Sequence, residues 1–94
     1  MSEASAQVLT LDGALTMATV GEWLERGREL ARKGELTVDF SAVAEADSAA
    51  LAALIDWLRT ARGAGHALQQ RGMPDGLRSL AALYGVDELL SAQA

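Results

Sequence analysis

The sequence contains no cysteine and a single histidine, and these shortages remove most metal and redox chemistry from consideration. Without cysteine there is neither a disulfide framework nor a thiolate ligand, and a reducing compartment such as the cytosol is permitted. His66 has no second imidazole for a metal site and belongs to no recognisable Ser–His–acid set. The nine glycines match no phosphate-binding loop followed by lysine. We therefore predict a non-enzymatic protein with no catalytic residue, no metal and no cofactor.

Basic residues and long apolar runs are also scarce. The 8 Lys and Arg residues face 13 Asp and Glu residues, and the formal net charge of −5 would repel a nucleic-acid backbone. Every apolar run is far shorter than the roughly 20 residues of a membrane-spanning helix. Residues Met1–Gln7 lack the basic and apolar regions of an export signal. We expect one soluble domain, residues 1–94, with no nucleic-acid binding and no membrane insertion.

Only four residues are aromatic, so Leu, Val and Ile must build the core, with alanine-rich helices packed closely. Apolar residues at three-and-four spacing predict three helices: Thr19–Lys33 closed by Gly34, residues 49–62 stopped by Gly63 and Gly65, and a helix from Pro74 to Gly85. Three strands are predicted at Val8–Leu11, with a bend or hairpin at Asp12 and Gly13 leading to Leu15, at Leu36–Phe40 and at His66–Arg71. Val86–Leu90 is predicted as one more helical turn. This alternation predicts an α/β fold with parallel neighbouring strands and right-handed helical crossovers.

An acid and a hydroxyl, Asp47 and Ser48, stand where the second helix begins. Asp47 is a suitable N-cap, because its carboxylate accepts a hydrogen bond from a first-turn N–H. Ser48 lies beside free N–H donors and the positive end of the helix dipole. The pair is therefore either an ordinary cap or a site where Ser48 contacts a partner or carries a phosphate, which would add about two negative charges.

The second helix separates into three faces when residues 49–62 are wound at roughly 100° per residue. The face toward the sheet is predicted to hold Leu51, Leu54, Ile55 and Leu58, and the solvated flank Ala52, Asp56 and Arg59. The third sector contains Ala49, Ala50, Ala53, Trp57 and Thr60. Small residues permit close approach of another chain, and tryptophan is enriched at binding hot spots, so this sector predicts a docking surface. The alternative, that Trp57 packs against a neighbouring helix of the same domain, stays open. Trp23 is predicted to lie in the core.

The stretch L-T-V-D-F-S-A-V-A-E-A-D-S-A-A-L-A-A-L resembles the STAS domain, a module of anti-sigma factor antagonists and sulfate transporter tails. The resemblance runs from Val8 to Leu90 and implies a small mixed β-sheet with helices packed mainly on one face. The C-terminal stretch A-L-Q-Q-R-G-M-P-D-G-L-R-S-L-A-A-L-Y-G-V resembles the STAS subunit of the Mla phospholipid-transport system. Residues Leu77–Val86 are the most distinctive part of this second likeness.

The resemblance implies a cytoplasmic subunit that binds and supports the ATPase subunit (MlaF-like) of a phospholipid ABC transporter that maintains outer-membrane lipid asymmetry. Such a subunit is associated peripherally with the inner membrane through the transporter complex. The partner-binding residues expected here are Asp47, Ser48, Ala49, Ala50, Ala53 and Trp57. The alternative is an anti-sigma factor antagonist phosphorylated at Ser48. Many phosphorylated antagonists carry D-S-S-G, where this chain has Ala49 and Ala50, so contact through Ser48 is favoured over phosphorylation.

Overall fold

The computed structural model describes residues 7–86 as three strands and three helices that alternate along the chain. The elements are β1 (Gln7–Leu15), α1 (Gly21–Lys33), β2 (Leu36–Ala46), α2 (Ser48–Gly63), β3 (Leu68–Arg71) and α3 (Asp75–Leu83). The strands form one sheet in the order β1-β2-β3, and both neighbouring pairs are parallel. The predicted α/β fold is confirmed, and the antiparallel pairing of a mixed sheet is not found within residues 7–86.

One face of the sheet forms the hydrophobic core, because successive side chains of a strand point to opposite faces. Its buried residues are Leu9, Leu11, Leu36, Val38, Phe40 and Leu68, which pack with Leu51, Leu54 and Leu58 of α2. The opposite face carries the exposed or half-buried residues Val8, Thr10, Thr37, Asp39, Gln69 and Arg71. On that face Arg71 Nε lies 3.2 Å from Asp39 Oδ2. The sheet is thus apolar toward the helices and polar on its other side.

Two strands differ from the sequence prediction. β1 passes through Asp12 and Gly13 without a hairpin, and Gly13 adopts a φ of 69°, which glycine does without steric cost. β2 continues to Ala46 instead of ending at Phe40. The register shifts twice, since the pairs are Thr10 with Asp39, Asp12 with Ala42, Gly13 with Val43 and Ala14 with Glu45. Each shift leaves one extra residue in β2, and such bulges destroy the strict alternation that identifies a strand.

The helix boundaries follow the predicted signals closely. α1 begins at Gly21 instead of Thr19, because the preceding residues form a separate turn in which the Val20 N–H donates to the Thr16 carbonyl at 2.8 Å. Gly34 closes α1 with a bond to the Leu30 carbonyl at 3.3 Å, as predicted. β3 is shorter than His66–Arg71.

Val86 is buried, and the rest of the predicted turn Val86–Leu90 lies outside the described residues. None of the helices within residues 7–86 combines the length and the apolarity needed to cross a bilayer.

Candidate functional site

Asp47 lies at the carboxyl edge of the sheet and joins two loops. The segments that follow neighbouring parallel strands lie side by side at this edge. The Asp47 Oδ1 accepts a hydrogen bond from the Ala49 N–H at 2.8 Å and so caps α2. Its Oδ2 accepts a second bond from the Met17 N–H at 3.2 Å, in the segment that follows β1. The predicted cap is confirmed, and the same carboxylate also fixes the loop between β1 and α1.

Met17 is the residue of this edge that sequence reasoning missed. Its side chain is 77 % exposed, the most exposed of the large hydrophobic side chains in residues 7–86. The turn that carries it is held by Thr19, whose Oγ1 donates to the Ala14 carbonyl at 2.7 Å and accepts from the Thr16 N–H at 2.9 Å. The exposed Met17 side chain offers apolar contact area to a partner. Because its backbone is already fixed, little backbone entropy would be lost on binding. The available signal was positional, since Met17 follows β1 as Ser48 follows β2.

Ser48 is the first residue of α2 and is exposed. Its hydroxyl forms no hydrogen bond with another residue of the described chain, so it is available for a contact. The first-turn N–H groups are partly in use, because Asp47 accepts from Ala49 through its carboxylate and from the Ala50 N–H through its carbonyl at 3.0 Å. We call Met17, Asp47, Ser48 and Ala49 the carboxyl-edge surface.

The predicted docking sector on α2 is divided by the structure. Asp47 and Ser48 are exposed and Ala49 is half-buried, so these three remain at the surface. Ala50, Ala53 and Trp57 are buried, and the indole of Trp57 is 0 % exposed. The prediction that these three residues present a surface to a partner is wrong, because all three are buried within the domain and Trp57 packs against α1. The alternative interpretation, that Trp57 packs against a neighbouring helix, agrees with the structure.

The contact between α1 and α2 is built around Trp57. Its Nε1 donates a hydrogen bond to the Leu24 carbonyl of α1 at 2.9 Å. The backbone of Gly27 lies against the indole ring so closely that a Cβ at this position would overlap the ring atoms. Trp23, predicted as a core residue, is only partly buried, and Arg26 stacks over its ring at 5.4 Å from the centroid. Trp57 is therefore the fully buried tryptophan, and Trp23 packs against the core with part of its side chain exposed.

The solvated flank of α2 lies where the helical wheel predicts it. Ala52 and Arg59 are exposed, and Asp56 is half-buried in an ion pair with Arg28 of α1. This pair is bidentate, with Arg28 Nε 2.8 Å from Asp56 Oδ1 and Arg28 Nη2 2.7 Å from Oδ2. The hydrogen bonds from Arg28 hold the pKa of Asp56 below its ordinary value of 3.8, against the opposing effect of partial burial.

The described residues offer little for catalysis or metal binding. His66 is half-buried, and its backbone N–H donates to the Ala61 carbonyl at 2.8 Å at the end of α2. Among residues 7–86, no three His, Asp or Glu side chains are grouped in a way that could hold a metal ion. The carboxyl-edge surface presents the Ser48 hydroxyl, the Asp47 carboxylate and the exposed Met17 side chain. This set suits contact with another molecule.

Comparisons with known proteins agree with the fold and identify the family. A crystal structure of a sulfate transporter family protein from Wolinella succinogenes superposes with a TM-score of 0.74 at 17 % sequence identity. The superposition covers 92 % of this chain and 71 % of that one, and at this identity it shows the fold alone. A search of curated proteins gives no match. The family model described as "Mlab, STAS domain" matches residues 2–91, nearly the whole chain. The chain therefore belongs to the STAS domain family, in its Mlab branch.

Proposed function

We propose that this protein is a non-enzymatic subunit of an Mla-type phospholipid ABC transporter, which it serves by binding and supporting the ATPase subunit. The match of residues 2–91 to the Mlab STAS model carries this proposal. A transporter of this type maintains the lipid asymmetry of the outer membrane. The subunit is then cytoplasmic and associated with the inner membrane only through the complex.

The carboxyl-edge surface is the proposed place of contact with the ATPase. Met17 supplies an exposed apolar side chain, Ser48 supplies a hydroxyl with no hydrogen-bond partner among residues 7–86, and Asp47 fixes both loops. Ala50, Ala53 and Trp57 are buried beneath this helix end, and Trp57 fixes α2 against α1. Substituting Trp57 would consequently test folding and not binding, because removal of a fully buried tryptophan costs about 3–5 kcal/mol.

Binding of the ATPase to Ser48→Arg tests the proposal. The ATPase subunit is the one encoded with the Mla-type permease in the same genome, and its affinity is measured by isothermal titration calorimetry. The arginine side chain at position 48 would lie within the proposed contact and would not enter the core. We therefore expect the affinity for the ATPase to weaken at least about tenfold, which corresponds to about 1.4 kcal/mol.

Gln69→Arg is the matched control. Gln69 is exposed in β3 on the polar face of the sheet, and the substitution introduces the same side chain and the same added charge. Its affinity should equal that of the unmodified chain. Unchanged affinity of Ser48→Arg, or equal losses in both variants, would exclude the carboxyl-edge surface.

A second candidate function is antagonism of an anti-sigma factor, with Ser48 as the phosphorylated residue. The exposure of Ser48 supports it, since a kinase needs an accessible hydroxyl. Ala49 and Ala50 disfavour it, because they replace the second hydroxyl and the glycine of the D-S-S-G sequence that many phosphorylated antagonists carry. Intact-mass measurement of the protein isolated from its own cells distinguishes the two functions. A phosphorylated fraction that is absent from Ser48→Ala would favour the antagonist.

A further inference from the structure

An open groove of about 410 Å³ lies between α1 and α2, beyond the first turn of α2. Its apolar part consists of Ala52, which is exposed, and Ile55, which is half-buried. Thr60 borders the groove at its far end, and the Thr60 hydroxyl is already bonded to the Asp56 carbonyl at 2.9 Å. No residue of the carboxyl-edge surface lines the groove, so the two surfaces are separate.

The groove is lined mainly by basic side chains, although the whole chain is acidic. Arg28, Arg32 and Arg59 line it, and they are three of the 8 basic residues in a protein of net charge −5. Among the described residues, the one acid in the lining is Asp56, which is bonded to Arg28 through both carboxylate oxygens. The groove therefore carries net positive charge on the surface of an acidic protein.

Two of these guanidinium groups, those of Arg32 and Arg59, are available to bind a further anionic group. Arg32 is 54 % exposed, and its one ion pair among residues 7–86 is with Glu25, at 3.5 Å. Arg59 is exposed and forms no hydrogen bond or ion pair with another residue of the described range 7–86. Arginine is the basic side chain best suited to paired recognition of carboxylates, because its donors form a planar fork. The arginines flank the apolar contact area of Ala52 and Ile55 in the arrangement of a polar rim around an apolar centre.

We propose that the α1–α2 groove binds an acidic segment of a partner protein, with carboxylates on Arg32 and Arg59 and an apolar side chain on Ala52 and Ile55. Charge complementarity selects the acidic partner. The apolar contact area favours a peptide segment over inorganic phosphate, which would leave Ile55 uncovered. The net charge of −5 disfavours an anionic bilayer, which would repel the rest of the protein.

A short model peptide tests the proposal in the full-length protein. The probe is acetyl-EDLEEL-amide, followed by ¹H–¹⁵N NMR titration, with acetyl-QNLQQL-amide as the neutral counterpart. We expect the acidic peptide to shift the amide signals of Ala52, Ile55 and Arg59, and we expect rising salt to weaken its binding. The variants Arg32→Glu and Arg59→Glu should each reduce affinity about tenfold.

Arg78→Glu is the matched control, since Arg78 is exposed on α3 and the charge change is the same. It should leave peptide binding unchanged, and so should Ser48→Arg, which keeps this test independent of the proposed ATPase contact. The proposal is wrong if the acidic peptide does not bind, if the neutral peptide binds equally, or if Arg78→Glu has the same effect as Arg59→Glu. It is also overturned if inorganic phosphate, phosphatidylglycerol vesicles or simple concentration of the protein shift the same signals equally well.

Discussion

At the scale of single residues, the contact between Gly27 and Trp57 determines how α1 and α2 lie against each other. Trp57 is fully buried, and its indole N–H is satisfied by the Leu24 carbonyl, so the polar atom of a large apolar side chain has a partner. Gly27 leaves the space that the ring occupies. Because this contact covers one face of α2 with α1, it leaves Asp47 and Ser48 exposed at the N-terminal end of α2.

Gly27→Ala should destabilise the protein, although alanine favours helix formation by about 1 kcal/mol over glycine. The new Cβ would overlap the Trp57 ring, and such overpacking typically costs about 1–3 kcal/mol. Gly63→Ala is the control, because a Cβ at Gly63, at the end of α2, meets nothing within 4 Å. Urea unfolding of both variants measures the difference. Equal or greater stability of Gly27→Ala compared with Gly63→Ala would contradict the close contact.

The environment of Trp57 was only partly predictable from the sequence. A helical wheel correctly groups Trp57 with Ala50 and Ala53, because that grouping depends on local geometry alone. The wheel does not show which other element covers the sector. The complementary signal is on α1, where Gly27 interrupts a helix at a cost of about 1 kcal/mol and so indicates a close approach of another chain segment.

At the scale of elements, α1 and α2 are joined at their solvated edge by the Arg28–Asp56 ion pair. The pairing contributes to the orientation of α2, and with it to the position of the groove. Asp39 on β2 is a second carboxylate with a lowered pKa, first because of hydrogen bonds from Ser41 and then because of Arg71. Both carboxylates prefer the charged form in the folded state.

The pH dependence of stability follows from the lowered pKa of Asp56. A carboxyl group whose folded pKa lies below its unfolded value stabilises the fold above the unfolded pKa, and this contribution disappears as the pH falls through the folded pKa. We therefore expect Asp56→Asn to be less stable than the unmodified protein at pH 7. The difference should shrink on acidification below about pH 4.

Urea unfolding at pH 7 and at pH 3 measures this effect. Asp12→Asn, which removes an exposed carboxylate from β1, serves as the control for the loss of one negative charge. A stability difference between Asp56→Asn and the unmodified protein that is the same at both pH values would contradict an ionic origin.

Helices and strands were not equally predictable. The bounds of α2 agree with the sequence prediction because the cap at Asp47 and the stop at Gly63 and Gly65 are local signals. The second half of β2 was missed because two bulges disturb its alternation, and these bulges depend on pairing with β1, which is distant in sequence. The carboxyl-edge surface likewise depends on pairing, since Met17 and Asp47 meet only because β1 and β2 are neighbours.

At the scale of the whole molecule, the polar face of the sheet and the carboxyl-edge surface are separate regions of the surface. Val8 and Gln69 share one row across the polar face, on the side of the sheet away from α2. Met17 and Ser48 lie at the carboxyl ends of β1 and β2. The proposed function therefore requires the ATPase to contact one edge of the domain and to leave the polar sheet face free.

Photo-cross-linking from Met17 tests this requirement most directly. The photoreactive residue p-benzoylphenylalanine is placed at Met17 or, as the control, at Val8, which is also exposed, and the Mla-type ATPase of the same genome is added before illumination. We expect an efficient cross-link to the ATPase from position 17, lost in the presence of Ser48→Arg, and none from position 8. A cross-link from position 8 without one from position 17 would contradict the proposed contact.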